Sequence, residues 1–199
     1  RSSRPASGAD HQFSHLWDMQ HHTHNGVPPS HGFKVGIGSL ASIAMYDEIL
    51  RRDLLNLDID AAAERWPSPA QMEVRIATVL GTGELGAKAM EETRAKYVSR
   101  DRLRSQLRTL RTAWPALSAA LGKHLLPFAE ARDMLSAAGC PCEPEQIGIS
   151  RSRLRESYEQ AWYIRRRYTI LDFVQRAGIA GSVLETLFSP SGPWGEPHR

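Results

Sequence analysis

Six of the eight histidines of this 199-residue chain fall within its first 31 positions: His11, His15, His21, His22, His24 and His31. Neutral imidazole is the commonest side-chain ligand of catalytic divalent metals and exchanges protons near neutral pH, so this crowding points to metal or acid–base chemistry. His11 and His15 are four residues apart and share one face of a helix, with Cβ atoms about 6 Å apart. Either or both can face a metal ion. Asp18 and His22 continue that face, but His22 lies roughly 16 Å from His11 along a helix axis, too far to share one ion. Asp10 precedes His11 and points about 100° away, a poor geometry for a neighbouring carboxylate ligand. His31 comes from a second element, and the residues from 22 to 30 can extend to about 30 Å, enough to bring it back to His11. His21, His22 and His24 read better as residues of a solvated turn.

The elements that must position these groups read as helices almost throughout. Apolar residues recur at helical spacing and alternating β-branched runs are few, which predicts an all-α architecture. A first helix is expected from about Ala6 to His21 with Ser7 as its cap, broken by Asn25-Gly26-Val27-Pro28-Pro29. Ser30 can cap a long second helix from His31 to about Leu54, in which Val35, Ile37, Leu40, Ile43, Ala44 and Tyr46 are the candidate buried residues. Further helices are expected from Asp60 to Trp66, Ala70 to Leu80, Glu84 to Ser99, Arg102 to Ala113, Ala116 to Leu125, Phe128 to Ala138, Arg151 to Arg166, Ile170 to Ala177 and Ser182 to Phe188. Pro67, Gly81, Pro115, Pro127, Gly139 and Gly178 punctuate them. The predicted organisation is one helical metal- and substrate-binding domain over residues 1–188, with metal-site helices in 6–54 and the remaining bundle in 58–188. A flexible Pro- and Gly-rich tail is expected over 189–199.

Hydrophobic residues at 41% and charged residues at 24% are ordinary for a folded protein and exclude a largely disordered one. A net charge of +3 gives only a slight preference for anions such as phosphates. Cys140 and Cys142 flank Pro141, where a disulfide would be strained, which points to a reducing compartment. No apolar leader follows Arg1-Ser2-Ser3-Arg4-Pro5, and the most apolar stretch, 35–45, is too short to cross a bilayer; a cytoplasmic protein with no membrane partner is expected. Arg100, Arg104, Arg108 and Arg111 form a stripe beside Leu103, Leu107, Leu110 and Trp114, and Arg165-Arg166-Arg167 lies among Trp162, Tyr163 and Tyr168. Both could meet a nucleic acid, but arginines lying alongside a buried apolar face account for them better, so a nucleic-acid partner is not favoured.

The segment Arg4-Pro5-Ala6-Ser7-Gly8-Ala9-Asp10-His11-Gln12-Phe13-Ser14-His15-Leu16-Trp17-Asp18-Met19, followed by Ser30-His31-Gly32-Phe33-Lys34-Val35-Gly36-Ile37-Gly38, resembles the C-terminal metal domain of the sn-glycerol-1-phosphate dehydrogenases. These belong with the iron-containing alcohol dehydrogenases, glycerol dehydrogenases and dehydroquinate synthases. A weaker likeness runs through Ile147 to Leu171. The resemblance implies that His11 and His31 are metal ligands and that His15 is an active-site histidine near substrate. It also implies a divalent metal, zinc first with nickel and iron as alternatives, and NADH or NADPH reducing dihydroxyacetone phosphate to sn-glycerol 1-phosphate, a step of phospholipid metabolism. The family's carboxylate ligand and Gly-rich nucleotide half lie upstream of the paired histidines. Gly36-Ile37-Gly38-Ser39 falls inside a helical stretch and does not replace them. The expectation is therefore the C-terminal part of such an enzyme, weak in metal binding and inactive by itself. Phe33 stands where many members of the wider group carry Glu. A homo-oligomer is a candidate assembly, and a stand-alone helical module for protein or nucleic acid is the alternative reading.

Overall fold

Ser30 accepts a hydrogen bond from the Phe33 N–H at 3.1 Å, and this cap starts the helix on which the molecule is built, α2 (His31–Leu50). A computed structural model of the protein describes residues 8–195. Before α2 comes α1 (Ala9–Met19), whose expected cap Ser7 lies outside the described residues; Gly8 precedes the first turn, and its N–H bonds to Asp10 Oδ1 at 2.9 Å. α1 stops two residues earlier than expected because His21 adopts a left-handed backbone, φ 52°. Asn25 and Gly26 follow, both with positive φ, closing a tight turn in which His24 and Val27 exchange backbone hydrogen bonds. The two helices thus form a hairpin. Phe13, Leu16 and Trp17 of α1 and Ile37, Leu40 and Ala41 of α2 are fully buried.

The chain continues as α3 (Ile59–Arg65), α4 (Pro69–Leu80), α5 (Glu84–Lys96), α6 (Arg100–His124), α7 (Phe128–Ala137), α8 (Arg151–Gln160), α9 (Ile170–Arg176) and α10 (Ala180–Leu187). Short 3-10 turns cover Pro144–Ile147 and Ala161–Ile164. Among the described residues there is no strand, and the fold is all-α as the periodicity predicts. Nor is any of their helices long and apolar enough to cross a membrane.

Three departures have physical causes. Pro115 does not divide two helices but sits inside α6. A proline costs one backbone hydrogen bond and a steric clash, about 3 kcal/mol; the turn around it is largely exposed, so water can serve the orphaned carbonyl, while Trp114 stays buried, stacked on Phe173 at 6.1 Å. The helix expected to run to Arg166 ends at Gln160 because Ala161, Trp162, Tyr163 and Ile164 are all buried. Four consecutive inward side chains cannot share one face of an α-helix. The tail expected from residue 189 does not begin there either. Trp194 is 1% exposed, meets Phe128 edge-on at 5.1 Å, and donates from Nε1 to the Tyr158 hydroxyl at 2.9 Å. Pro190, Gly192 and Pro193 shape a turn that returns an aromatic side chain to the core; residues 196–199 lie outside the described set.

Tyr158 joins these parts. Its hydroxyl donates to the Ala41 carbonyl of α2 at 2.7 Å while its ring meets Phe13 of α1 edge-on at 5.0 Å, and burial pushes its phenol pKa far up. A second interior anchor is an ion pair: Lys96 of α5 lies 2.7 Å from Asp172 of α9, with side chains 6% and 0% exposed. The lysine also donates to the Trp162 carbonyl and lies 4.8 Å over the Trp162 ring, and Asp172 accepts the Thr169 N–H at 3.0 Å. Burial lowers the lysine's proton affinity while Asp172 supports it. Removing one partner strands the other charge, so Lys96→Met is expected to cost about 3–5 kcal/mol in urea unfolding. The double variant Lys96→Met/Asp172→Leu should recover a large part of that loss.

Candidate metal centre

α1 and α2 cross at Gly38, where the helix backbones approach so closely that a Cβ would land on the Asp10 carbonyl oxygen. The hairpin's open side then carries three imidazoles. Ring centres lie 5.5 Å apart for His11 and His31, 6.2 Å for His11 and His15, and 6.3 Å for His15 and His31. Two imidazoles sharing one tetrahedral zinc through nitrogens at 2.0–2.1 Å place their ring centres about 5 Å apart, a spacing that His11 and His31 approach most nearly.

Two polar neighbours orient that pair. Asp10 turns back on its neighbour, its Oδ2 2.8 Å from His11 Nδ1. Ser14 Oγ lies 3.3 Å from His31 Nδ1. With both Nδ1 atoms engaged, each Nε2 is left for a ligand, the arrangement in which a partner fixes the tautomer and heading of a metal-binding histidine. Asp10 thus holds the heading of the His11 ring. The Asp-His adjacency was the signal for this role. Ser14 offered none, because its partner is 17 residues away. No group of three or more His, Cys, Asp or Glu among the described residues is set up to hold a metal ion, so the chain presents a pair. That pair fits two ligand positions of a metal and leaves the third unfilled.

His15 stands on the same face, half-buried, one turn from His11. Burial and the Arg165 guanidinium lower its proton affinity, against the pull of Asp18. Asp18 is paired with Lys34 of α2, which is almost fully buried. The remaining histidines separate. His21 is exposed in the turn, and His24 is half-buried with its backbone in the bridge to Val27. His22 corrects the expectation of a solvated turn: it is 7% exposed, its Nε2 donates to the Ile147 carbonyl at 2.7 Å, and its Nδ1 accepts from Arg153 at 2.6 Å. It ties the hairpin loop to the start of α8 as a neutral ring.

Two of the four stripe arginines, Arg100 and Arg104, are engaged within the protein, as is Arg94 of α5. Arg94 pairs with Glu73 at 2.8 Å, Arg100 with Glu64 at 3.5 Å, and Arg104 with Asp60 at 3.0 Å, Asp101 at 2.9 Å and Glu64. Arg166 bonds Glu92 and Glu91, and holds the Glu92 carboxyl down at about 2. Carboxylates that already face these guanidiniums oppose a phosphate backbone there.

Sequence comparison relates the chain to known proteins. Over 52 residues, 26% of this chain and 13% of the relative, the chain is 40% identical to a protein of Halalkalibacterium halodurans named glycerol-1-phosphate dehydrogenase (NAD(P)+). It is 26% identical over 174 residues, 86% of this chain and 33% of the relative, to a protein of that name from Geobacillus stearothermophilus. The chain therefore spans a third or less of the length of these curated relatives. No family model and no solved structure matches it.

The neutral, buried His22 makes stability depend on pH. Its folded-state pKa is lowered from the ordinary 6.5, chiefly by burial and in part by Arg153, so below pH 6.5 the unfolded chain binds the proton that the fold resists. Its contribution is fully present above pH 6.5 and is lost as pH falls toward the folded-state value. The thermal midpoint should therefore drop between pH 7.5 and 5.5, and His22→Gln should flatten that slope.

Proposed function

We propose that this chain is the metal-binding C-terminal part of an NAD(P)-dependent sn-glycerol-1-phosphate dehydrogenase, acting on dihydroxyacetone phosphate, and that it is inactive by itself. The observation that carries this reading is the 5.5 Å juxtaposition of His11 and His31, the two residues that the family resemblance makes ligands. Two relatives bearing that enzyme name support it.

In this reading His11 and His31 hold a divalent ion, zinc in the first instance, through their Nε2 atoms. When bound, the ion supplies a Lewis acid beside the substrate carbonyl. The chain's own residues prepare the place. Asp10 and Ser14 keep the two rings turned outward, and the buried faces of α1 and α2 fix the spacing between them. His15 exchanges a proton with the substrate oxygen: a neutral ring at physiological pH, favoured by its burial and by Arg165, can accept the proton as the alcohol is oxidised and return it in the reverse direction. The nicotinamide and the third metal ligand come from outside these residues.

A calorimetric Zn2+ titration checks the assignment. The chain should bind one ion weakly, with micromolar or poorer affinity, because a catalytic zinc site has three protein ligands and here two are at hand. His11→Gln or His31→Gln should abolish binding, and His15→Gln should leave it nearly unchanged. Undiminished binding in both ligand variants would sink the assignment.

A further inference from the structure

Along α6 the apolar residues Leu103, Leu107, Leu110, Trp114, Leu117 and Leu121 recur at alternating steps of four and three, the spacing of a seam that packs against another helix. The protein covers only the first part of that seam. Leu103 and Leu107 are buried where α6 packs on α3, and Trp114 is buried against Phe173 of α9, whereas Leu117 is 40% exposed and Leu121 is half-buried. Beyond Trp114 most residues of α6 are exposed.

This uncovered half forms one wall of a trough, and α2 forms the other, running antiparallel to it. A groove of about 260 Å³ is bordered by Ile49 and Leu50 near the end of α2 and by α6 from Leu110 to Leu121. A cleft of about 440 Å³ is bordered by Ser39 and Ser42, earlier in α2, and by Leu125 just past α6. Tyr46, Tyr168, Thr169 and Ile170 border both, so the two are continuous. From Leu110 to Leu125 is roughly 22 Å along a helix axis, about four turns. A slot of that length between two helices that do not pack closely on one another receives a third helix through side chains spaced i, i+3, i+4 and i+7.

Charge narrows the occupant. Residues 112–122 hold no charged side chain although most are exposed, a depletion found at the core of protein interfaces. Cations stand around them: Arg111 beside the seam, Lys123 at the helix end and Arg51 next to Leu50. All three are exposed and, unlike Arg100 and Arg104, have no ion-pair partner among the described residues. The nearby carboxylates are engaged, Asp47 by the Phe128 N–H, Glu48 by Arg52 and Asp10 by His11. A concave slot does not suit a flat lipid surface, and a second copy of α6 would bring Arg111 and Lys123 against the same cations.

We propose that the trough between α2 and α6 is a docking site for an amphipathic helix of a partner protein. Its apolar stripe enters beside Leu117 and Leu121, and acidic residues at its flanks meet Arg51, Arg111 and Lys123. The inference does not depend on the reading of the imidazoles.

The probe is a fluorescently labelled synthetic helix with leucines at i, i+3, i+4 and i+7 and glutamates along its flanks, followed by anisotropy against the whole chain. It should bind at micromolar concentration, and its copy with lysine in place of every glutamate should bind more weakly by about tenfold or more at low salt. Leu117→Glu should weaken the acidic helix by about tenfold or more, as should Arg51→Glu/Arg111→Glu, with thermal midpoints unchanged because these side chains are exposed. Equal binding of the two helices, no binding of the acidic one, or undiminished binding to Leu117→Glu would overturn the proposal. Centrifugation tests the other occupants. Flotation of the chain on phosphatidylglycerol vesicles, or a dimer of the chain, that Leu117→Glu abolishes would put a membrane or a second copy in the trough and overturn it as well.

Discussion

Where α1 crosses α2, the Asp10 carbonyl fills the space that a side chain at position 38 would need, and only glycine lets the two backbones meet this closely. Much follows from that approach. It sets the height of His11 above α2, brings Ser14 within reach of His31, and places Asp18 over the buried ammonium of Lys34. Side chains on two packed helices are held with the precision of the packing, which a loop-borne pair would lack. The tight Asn25-Gly26 turn and the buried His22 lock the far end of the same hairpin.

The rest of the bundle backs this hairpin. Trp17 of α1 donates to Ser157 of α8 at 2.8 Å, and Tyr158, the next residue, reaches both α2 and Trp194. On the other side the dry Lys96–Asp172 pair joins α5 to α9, and Asp172 caps the helix whose first residue follows Thr169. The loop bearing Arg165 is consequently slung between two buried anchors beside α1. Polar groups inside the core are used to fix orientation, and the buried Ser14 and half-buried Asp10 do the same for the imidazoles.

What the sequence disclosed followed how local each cause is. The Ser30 cap, the start of α2, the helical period and the break at Asn25-Gly26 all act within a few residues, and each is found where the sequence places it. The pairing of His11 with His31 was read through family resemblance, and their ring centres lie 5.5 Å apart. Pro115 misled because its penalty is small enough for surrounding helix and solvent to absorb. His22 misled because its burial depends on Ile147 and Arg153, more than a hundred residues away. The same holds for Trp194, whose composition-rich surroundings of Pro and Gly suggested a tail, while its place in the core is set by Phe128 and Tyr158. Arg165 could not be told from Arg166 by sequence, because only the fold decides which of them meets Glu91 and Glu92.

The most direct test of this account is the zinc affinity of Gly38→Ala beside that of Gly36→Ala. A Cβ at 36 would meet only Leu135, at 4.0 Å, so that variant should bind zinc as the unaltered chain does. At 38 the added carbon must push α1 off α2 and part His11 from His31, so zinc affinity should fall by about tenfold or more while helical content is retained. A Gly38→Ala protein that binds zinc as well as the unaltered chain would contradict the claim that the helix crossing builds the site.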